Sequence, residues 1–272
     1  MNDKDMKDIA FEAAKEISKD VYTDVVKPVS KPTGEILGLI PRAIKVALSP
    51  LERWILQGEY NMAEIQRLLE EKLKNTSPDM IEAPAAHIAI PAMQYISYCR
   101  DNKELRNMYA NLLATSMNKD VKDDVHPAYV EIIKQLCPDE AKILKYMYAH
   151  NTIPVIEIKF VLKNGEKGQI SKGFSIVAEM AQCEHPHNGN QYFENLIRLG
   201  LVVKSDNPWF MVPKRYDDLL NHPRVKKEYN YWNRQNFISS VEYSKCAYEI
   251  TRFCDGFFNV CICEPSDEFE DK

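Results

Sequence analysis

Apolar residues recur at intervals of three and four along most of this chain, and the run from Leu105 to Leu144 carries the pattern most densely. Leu105, Met108, Tyr109, Leu112 and Ser116 fall on one helical stripe, with Arg106, Asn107 and Asn111 facing away. Such a stripe must be buried. A break at His126 and Pro127 starts a second helix, and Pro138 or Asp139 starts a third carrying Ala141, Ile143, Leu144, Met147 and Tyr148.

The preceding segments are also helical in period. Met6, Ile9, Ala10, Ala13, Ile17, Val21 and Val25 predict an amphipathic helix over Asp3–Val26. Pro28 and Pro32 then break the chain into a linker that ends near Gly34. The stretch from Ile36 to Leu48 is strongly apolar, but Arg42 and Lys45 interrupt it and it is too short to cross a bilayer, which takes about twenty apolar residues. Ser49 and Pro50 read as the start of a helix carrying Trp54 and Ile55, and Asn61 as the cap of the next, whose stripe is Met62, Ile65, Leu68, Leu69 and Leu73. Pro78, Pro84 and Pro91 predict an extended connector, with helix resuming at Ala92.

Beyond Cys137 the pattern changes. Ile153 to Val155 and Val155 to Leu162 read as strand, Asn164-Gly165 as a hairpin turn, Phe174–Cys183 and Asn190–Leu199 as helices, and Gly200 as a left-handed cap. Leu201 to Val203 and Ala247 to Thr251 form two further β-type runs, with Thr251 placed to cap a closing helix through Phe257 and Phe258. This order resembles a winged helix-turn-helix, except that a long insertion with its own helical segment, Tyr216 to Trp232, separates the two wing strands.

The expected fold is therefore mainly α: an N-terminal helix and linker (1–34), a helical domain (35–137), and a winged-helix-like α+β domain (138–264). The last carries a wing insertion at about 205–245, and an acidic tail follows (265–272).

Charge and cysteines narrow the function. Lys and Arg number 35 against 40 Asp and Glu, a net charge of -5, which disfavours bulk binding to a phosphate backbone. Seven scattered cysteines form no evenly spaced disulfide framework, and the acidic, helical N-terminus is unlike a secretion signal, so a reducing cytoplasm is the expected location.

Four groups of residues are chemical candidates. Cys183, His185 and His187 bring three metal-ligand types together without a fourth ligand, and Cys261 and Cys263 have the wrong spacing to help, so no metal is expected. His126 with Glu131 has the makings of an acid/base pair but no nucleophile, and reads more simply as a helix start. Gln191, Asn195 and Arg198 lie on the outer side of a would-be recognition helix. Arg224, Lys226 and Lys227 add charge beside Trp209, Tyr229, Tyr231 and Trp232 in the insertion, a surface for protein or, less favourably, nucleic acid. Ile36, Leu39, Ile40 and Ile44 form an apolar face, with Arg42 and Lys45 close by, suited to a membrane surface or a second copy of the chain.

The phrases MYANLLATSM and VHPAYVEIIKQLCPDEAKIL, followed later by YFENLIRLGLVV, resemble the bacterial abortive-infection alpha family. The resemblance covers most of the chain and is densest from Gly34 to Leu144. It implies an intracellular bacterial protein that limits phage propagation, often by arresting or killing the infected host, and it brings no catalytic residues. The expectation is a non-enzymatic sensor, adaptor or effector without a cofactor, acting through a phage or host protein, through self-association, or at the inner membrane face. The alternatives are a winged-helix DNA-binding transcriptional regulator and a cryptic nuclease or hydrolase.

Overall fold

The computed structural model describes residues 36–51, 62–99, 101–206 and 213–263. The predicted helix over Asp3–Val26, its linker, the segment around Trp54, the cap at Asn61 and the acidic tail lie outside these residues.

Among the described residues six α-helices precede the sheet: α1 (Ile36–Leu48), α2 (Met62–Lys72), α3 (Ala86–Tyr98), α4 (Lys103–Met117), α5 (Ala128–Lys134) and α6 (Pro138–His150). Helix α4 is the hub, packed against α2, α3, α5 and α6. Asn102 starts it, its side chain accepting a hydrogen bond from the Leu105 amide at 3.2 Å. The predicted stripe of α4 is buried, but so are Ala110, Asn111, Leu113 and Ala114. Asn111 does not face away as its position in the period suggested. Its Nδ2 donates to the Cys261 carbonyl at 3.1 Å, because a C-terminal helical turn covers the side of α4 that the sequence leaves polar. Glu140 accepts from the Cys137 amide at 2.7 Å and fixes the start of α6 at Pro138.

Helix α3 begins before Pro91 and runs through it, earlier than the expected restart at Ala92. The missing donor costs the bond to the carbonyl of His87, an exposed residue, while Ile88, Ala89, Ala92 and Met93 are all buried. Burial of those side chains outweighs one bond near the helix start.

The remaining elements are β1 (Thr152–Leu162), β2 (Lys167–Phe174), α7 (Val177–Met180), α8 (Gly189–Arg198), β3 (Val202–Ser205), α9 (Asp217–Asn221), α10 (Pro223–Asn233), β4 (Ile238–Ile250) and α11 (Arg252–Phe257). A π-helical turn, Phe258–Ile262, continues α11. The four strands form an antiparallel sheet in the order β2-β1-β4-β3, so the described chain is mainly helical with one small sheet.

Two expectations change here. The helix expected over Phe174–Cys183 shrinks to the single turn of α7, because Phe174 ends β2 and pairs with Ile156. Helical propensity around Gly168 and Gly173 is low, and Gly168 packs so closely on Phe160 that a Cβ there would lie 2.1 Å from the ring. The insertion is also shorter than 205–245, since β4 starts at Ile238 and pairs with β1 along most of its length. The left-handed cap at Gly200 has φ +73°, and Thr251 caps α11 by accepting from the Cys254 amide at 3.1 Å.

Strand alternation divides the apolar side chains between two clusters. Ile153 and Val155 join a core that also holds the buried faces of α1 to α6, α8 and α11, so it runs without a break across position 137. Ile156 and Ile158 face the other way, into a smaller cluster with Tyr216, Leu219 and Val225 from the insertion. The insertion therefore folds back over the outer face of the sheet. Tyr216 holds it there through a 2.8 Å hydrogen bond from its hydroxyl to the Cys246 carbonyl.

Candidate functional site

The helix expected to read a groove, α8, is engaged along its polar side. Asn195 Nδ2 donates to the Gln135 carbonyl at 3.0 Å and to Glu140 Oε1 at 2.9 Å, tying α8 to the start of α6. Its Oδ1 accepts from Arg198 Nε at 3.0 Å and Nη2 at 2.6 Å. Asn195 is thus fully engaged within the chain, Arg198 is exposed but folded onto it, and Gln191 is exposed.

Helix α10 carries Arg224, Lys226 and Lys227, all exposed. Its aromatic residues are mostly anchors. Trp232 stacks on Phe160 with ring centroids 5.6 Å apart and Tyr229 stacks on Tyr243 at 5.5 Å, which leaves Tyr231, 61% exposed, as the outward ring. Trp209 lies outside the described residues. Two of the three rings of α10 thus reflect how the insertion packs on the sheet, while its basic residues face outward.

Helices α8 and α10 meet across a cleft that no local pattern announces. Asn190 and Glu194 of α8, Arg224, Val225 and Glu228 of α10, and residues of the β1–β2 hairpin line a cavity of about 320 Å³. Three segments distant in sequence build it, which is why periodicity within each one could not reveal it.

On α1, Ile40 and Ile44 are 6% and 0% exposed and belong to the core, whereas Leu39 is 42% exposed. The Ile36 side chain is outside the described residues. Of the apolar face expected there, Leu39 stays at the surface, alongside exposed Val46, Arg42 and Lys45. No helix among the described residues is long and apolar enough to cross a membrane.

The Cys183–His187 loop is organised by a carboxylate that sequence reading passed over. Asp139 is 4% exposed and accepts from the Glu184 amide at 2.8 Å, the His185 amide at 2.9 Å and the Tyr192 hydroxyl at 2.9 Å. Lys142 lies 3.4 Å away. Burial pushes the carboxyl up, but these donors outweigh it and hold Asp139 below the ordinary carboxylate value. Cys183 Sγ donates to the Asp139 carbonyl at 3.5 Å, and burial together with the nearby carboxylate pushes its thiol up to about 12. A thiol held protonated is a poor nucleophile and a poor metal ligand. Among the described residues no group of three His, Cys, Asp or Glu side chains is placed to hold a metal ion. The one signal that could have identified Asp139 is its place at the second position of a helix opened by proline, where a carboxylate meets the helix dipole.

His126 accepts from the Ala128 amide at 3.1 Å and packs edge-on to Phe253, with centroids 5.7 Å apart. Glu131 pairs with Lys134 at 3.5 Å. The two residues considered as an acid/base pair thus have separate structural partners.

Geometry defines the class as a helical protein with a small antiparallel sheet, whose conspicuous polar residues hold its elements together and whose described surface carries a charged cleft. The abortive infection alpha family matches residues 57–261, and the chain belongs to that family. No curated protein matches it. Among solved structures it is similar to an uncharacterised protein from the hydrocarbon-degrading marine bacterium Alcanivorax borkumensis SK2. The two share 16% identity over 48% of this chain and 90% of the other, with a TM-score of 0.35.

Proposed function

We propose that this protein serves in abortive infection as a non-enzymatic sensor, adaptor or effector in the cytoplasm, working through contact with a phage or host protein. Family membership supports the defence role. The observation that carries the non-enzymatic part is the engagement of the polar residues: Asp139, His126, Asn195 and Cys183 are each bound to neighbouring backbone or side chains that fix the fold. Reactive groups need some freedom to meet a substrate, and these side chains are held by the fold. Contact surfaces remain on Gln191, on the exposed face of α10 at Lys226 and Lys227, and on α1 around Leu39, where self-association or an inner-membrane surface is the further reading.

A second reading, a winged-helix DNA reader, draws on the adjacency of β1, β4 and β3 after helices α6 and α8, the strand arrangement such domains use. Against it, Asn195 is engaged and α10 stands across the cleft from α8, where a DNA groove would have to approach.

Plaque counts on bacteria expressing the protein, set beside charge reversals Lys226→Glu with Lys227→Glu, test both. Lost protection in a folded double variant with no duplex binding by the parent supports a protein partner. Tight, salt-sensitive, sequence-dependent duplex binding by the parent overturns the first reading in favour of the second.

A further inference from the structure

Positive charge is concentrated in two segments that meet in space. Between Lys159 and Lys172 the β1–β2 hairpin carries four lysines against one acid, Glu166. Residues 223–237, which are α10 and the turn after it, carry Arg224, Lys226, Lys227 and Arg234 against Glu228. The whole chain has 35 basic and 40 acidic residues, so both segments stand out from their background. Lys159 and Lys167 are paired, with Glu157 and Glu242. Lys163, Lys226, Lys227 and Arg234 are exposed and form no ion pair with another described residue.

The meeting point is one end of the sheet. Leu162 pairs with Ile238, the Lys163 amide donates to the Phe237 carbonyl at 3.1 Å, and Trp232 stacks on Phe160. Two large rings face solvent there: Phe237, 54% exposed, in the turn between α10 and β4, and Tyr231, 61% exposed, edge-on to Trp232. Lys227, Tyr231 and Arg234 follow one another at intervals of four and three residues, which makes them one outward stripe of α10 and its cap. We infer that this end of the sheet docks on an anionic membrane surface, with Phe237 and Tyr231 in the headgroup layer and Lys163, Lys227 and Arg234 against lipid phosphates.

Exposed rings set among basic residues have the composition of an interfacial anchor, in which aromatic side chains sit at headgroup depth while lysine and arginine meet anionic lipid. A bilayer surface asks only that rings and charges share one side of the molecule, and the Leu162–Ile238 pairing with the Lys163–Phe237 bond places them so. A nucleic-acid strand is tracked by a groove with rings along it, whereas the charged cleft is lined by neither Tyr231 nor Phe237. The excess of acidic residues over the rest of the chain helps to orient it, since a negative surface attracts this end and repels the remainder. The inference goes beyond the protein contact proposed above and does not rest on it. Vesicle binding is read on purified protein, so it can fail or succeed independently of the plaque counts.

Sedimentation of the purified full chain with vesicles tests it. Binding to mixed phosphatidylglycerol and phosphatidylethanolamine vesicles is expected at physiological ionic strength, weaker by about tenfold or more on phosphatidylcholine and weakened by added salt. Lys163→Gln with Arg234→Gln should weaken binding by about 25-fold, about fivefold for each charge removed near an anionic surface. Phe237→Ser with Tyr231→Ser should weaken it by about tenfold and leave its salt dependence in place. All four side chains are exposed, circular dichroism checks that the variants keep the fold, and the single changes Lys163→Gln and Phe237→Ser stand in for a pair that does not. No binding to the anionic vesicles, equal binding to phosphatidylcholine, or unchanged affinity in both double variants overturns the inference. Binding of single-stranded RNA or duplex DNA in place of the vesicles overturns it too, and assigns the face to nucleic acid.

Discussion

Tyr192 and Asp139, on different helices and 53 residues apart, are joined by a 2.9 Å hydrogen bond from hydroxyl to carboxylate that ties α8 to the first turn of α6. The same carboxylate orders the Glu184–His185 backbone, so one buried charge positions two helices and the loop between them. Tyr192→Phe removes one charge-assisted bond and should lower stability by about 1.5–3 kcal/mol in urea titrations.

Acid should act through the same residue. A carboxyl depressed by folding stabilises the protein above its unfolded pKa of about 4, and that contribution is lost as the pH falls through the lower, folded value. Glu157, held down by Lys204 and Lys159 against its own burial, acts in the same direction and window. Stability should therefore fall steeply below about pH 4. Asp139→Asn should be less stable at neutral pH and lose less on acidification. Parallel stability curves for the two proteins between pH 6 and pH 3, about the range over which carboxylates titrate, would contradict this assignment.

The loop residues themselves should prove dispensable. Asp139 is met by the backbone amides of Glu184 and His185, so His185→Ala and His187→Ala leave its network intact. Thermal midpoints and plaque counts should stay close to those of the parent, because such surface changes fall within about 0.5 kcal/mol. Stoichiometric zinc in the purified protein, together with lost protection in folded His185→Ala, would instead reveal a working metal site.

In the core, Asn111→Asp should be severe. The Asn111 side chain is 2% exposed, and its Oδ1 has no hydrogen-bond partner among the described residues. A carboxylate there would lack the Nδ2 donor that now reaches Cys261, at a cost of about 3–5 kcal/mol. Leu112→Asp, at a position 0% exposed, should unfold the protein outright and abolish any protection it confers.

Close packing gives one more test. Gly168→Ala would push a Cβ into the Phe160 ring, which is already stacked on Trp232, and should loosen the hairpin from α10. A loss of about 1–3 kcal/mol is expected, and Phe160→Leu should relieve part of it.

Local chemistry explains what could be read in advance. The Leu105–Ser116 stripe, the proline start at Pro138, the Asn164-Gly165 turn, the left-handed Gly200 and the Thr251 cap each depend on neighbours within a few residues, and the structure has each of them. Features set by distant segments stayed hidden. Asn111 looks like a surface residue until the turn at Cys261 arrives, Asp139 looks like a helix-start acid until the Glu184 loop folds onto it, and Phe174 looks helical until Ile156 pairs with it. The candidate surfaces follow the same rule. Composition marked out the insertion as basic and aromatic, but the sheet decides which of its rings face outward.

The seat of the Phe258–Ile262 turn on α4 bears on how the protein is made. Asn111 Nδ2 and Thr115 Oγ1 find their acceptors at Cys261 and Val260, about 150 and 145 residues downstream. While a ribosome is still short of those codons, the hub helix keeps one flank open, and the nascent chain offers chaperones and proteases an apolar groove that the finished protein hides. The hub would thereby stay incomplete until synthesis has passed residue 262, so premature termination would yield fragments fit for degradation.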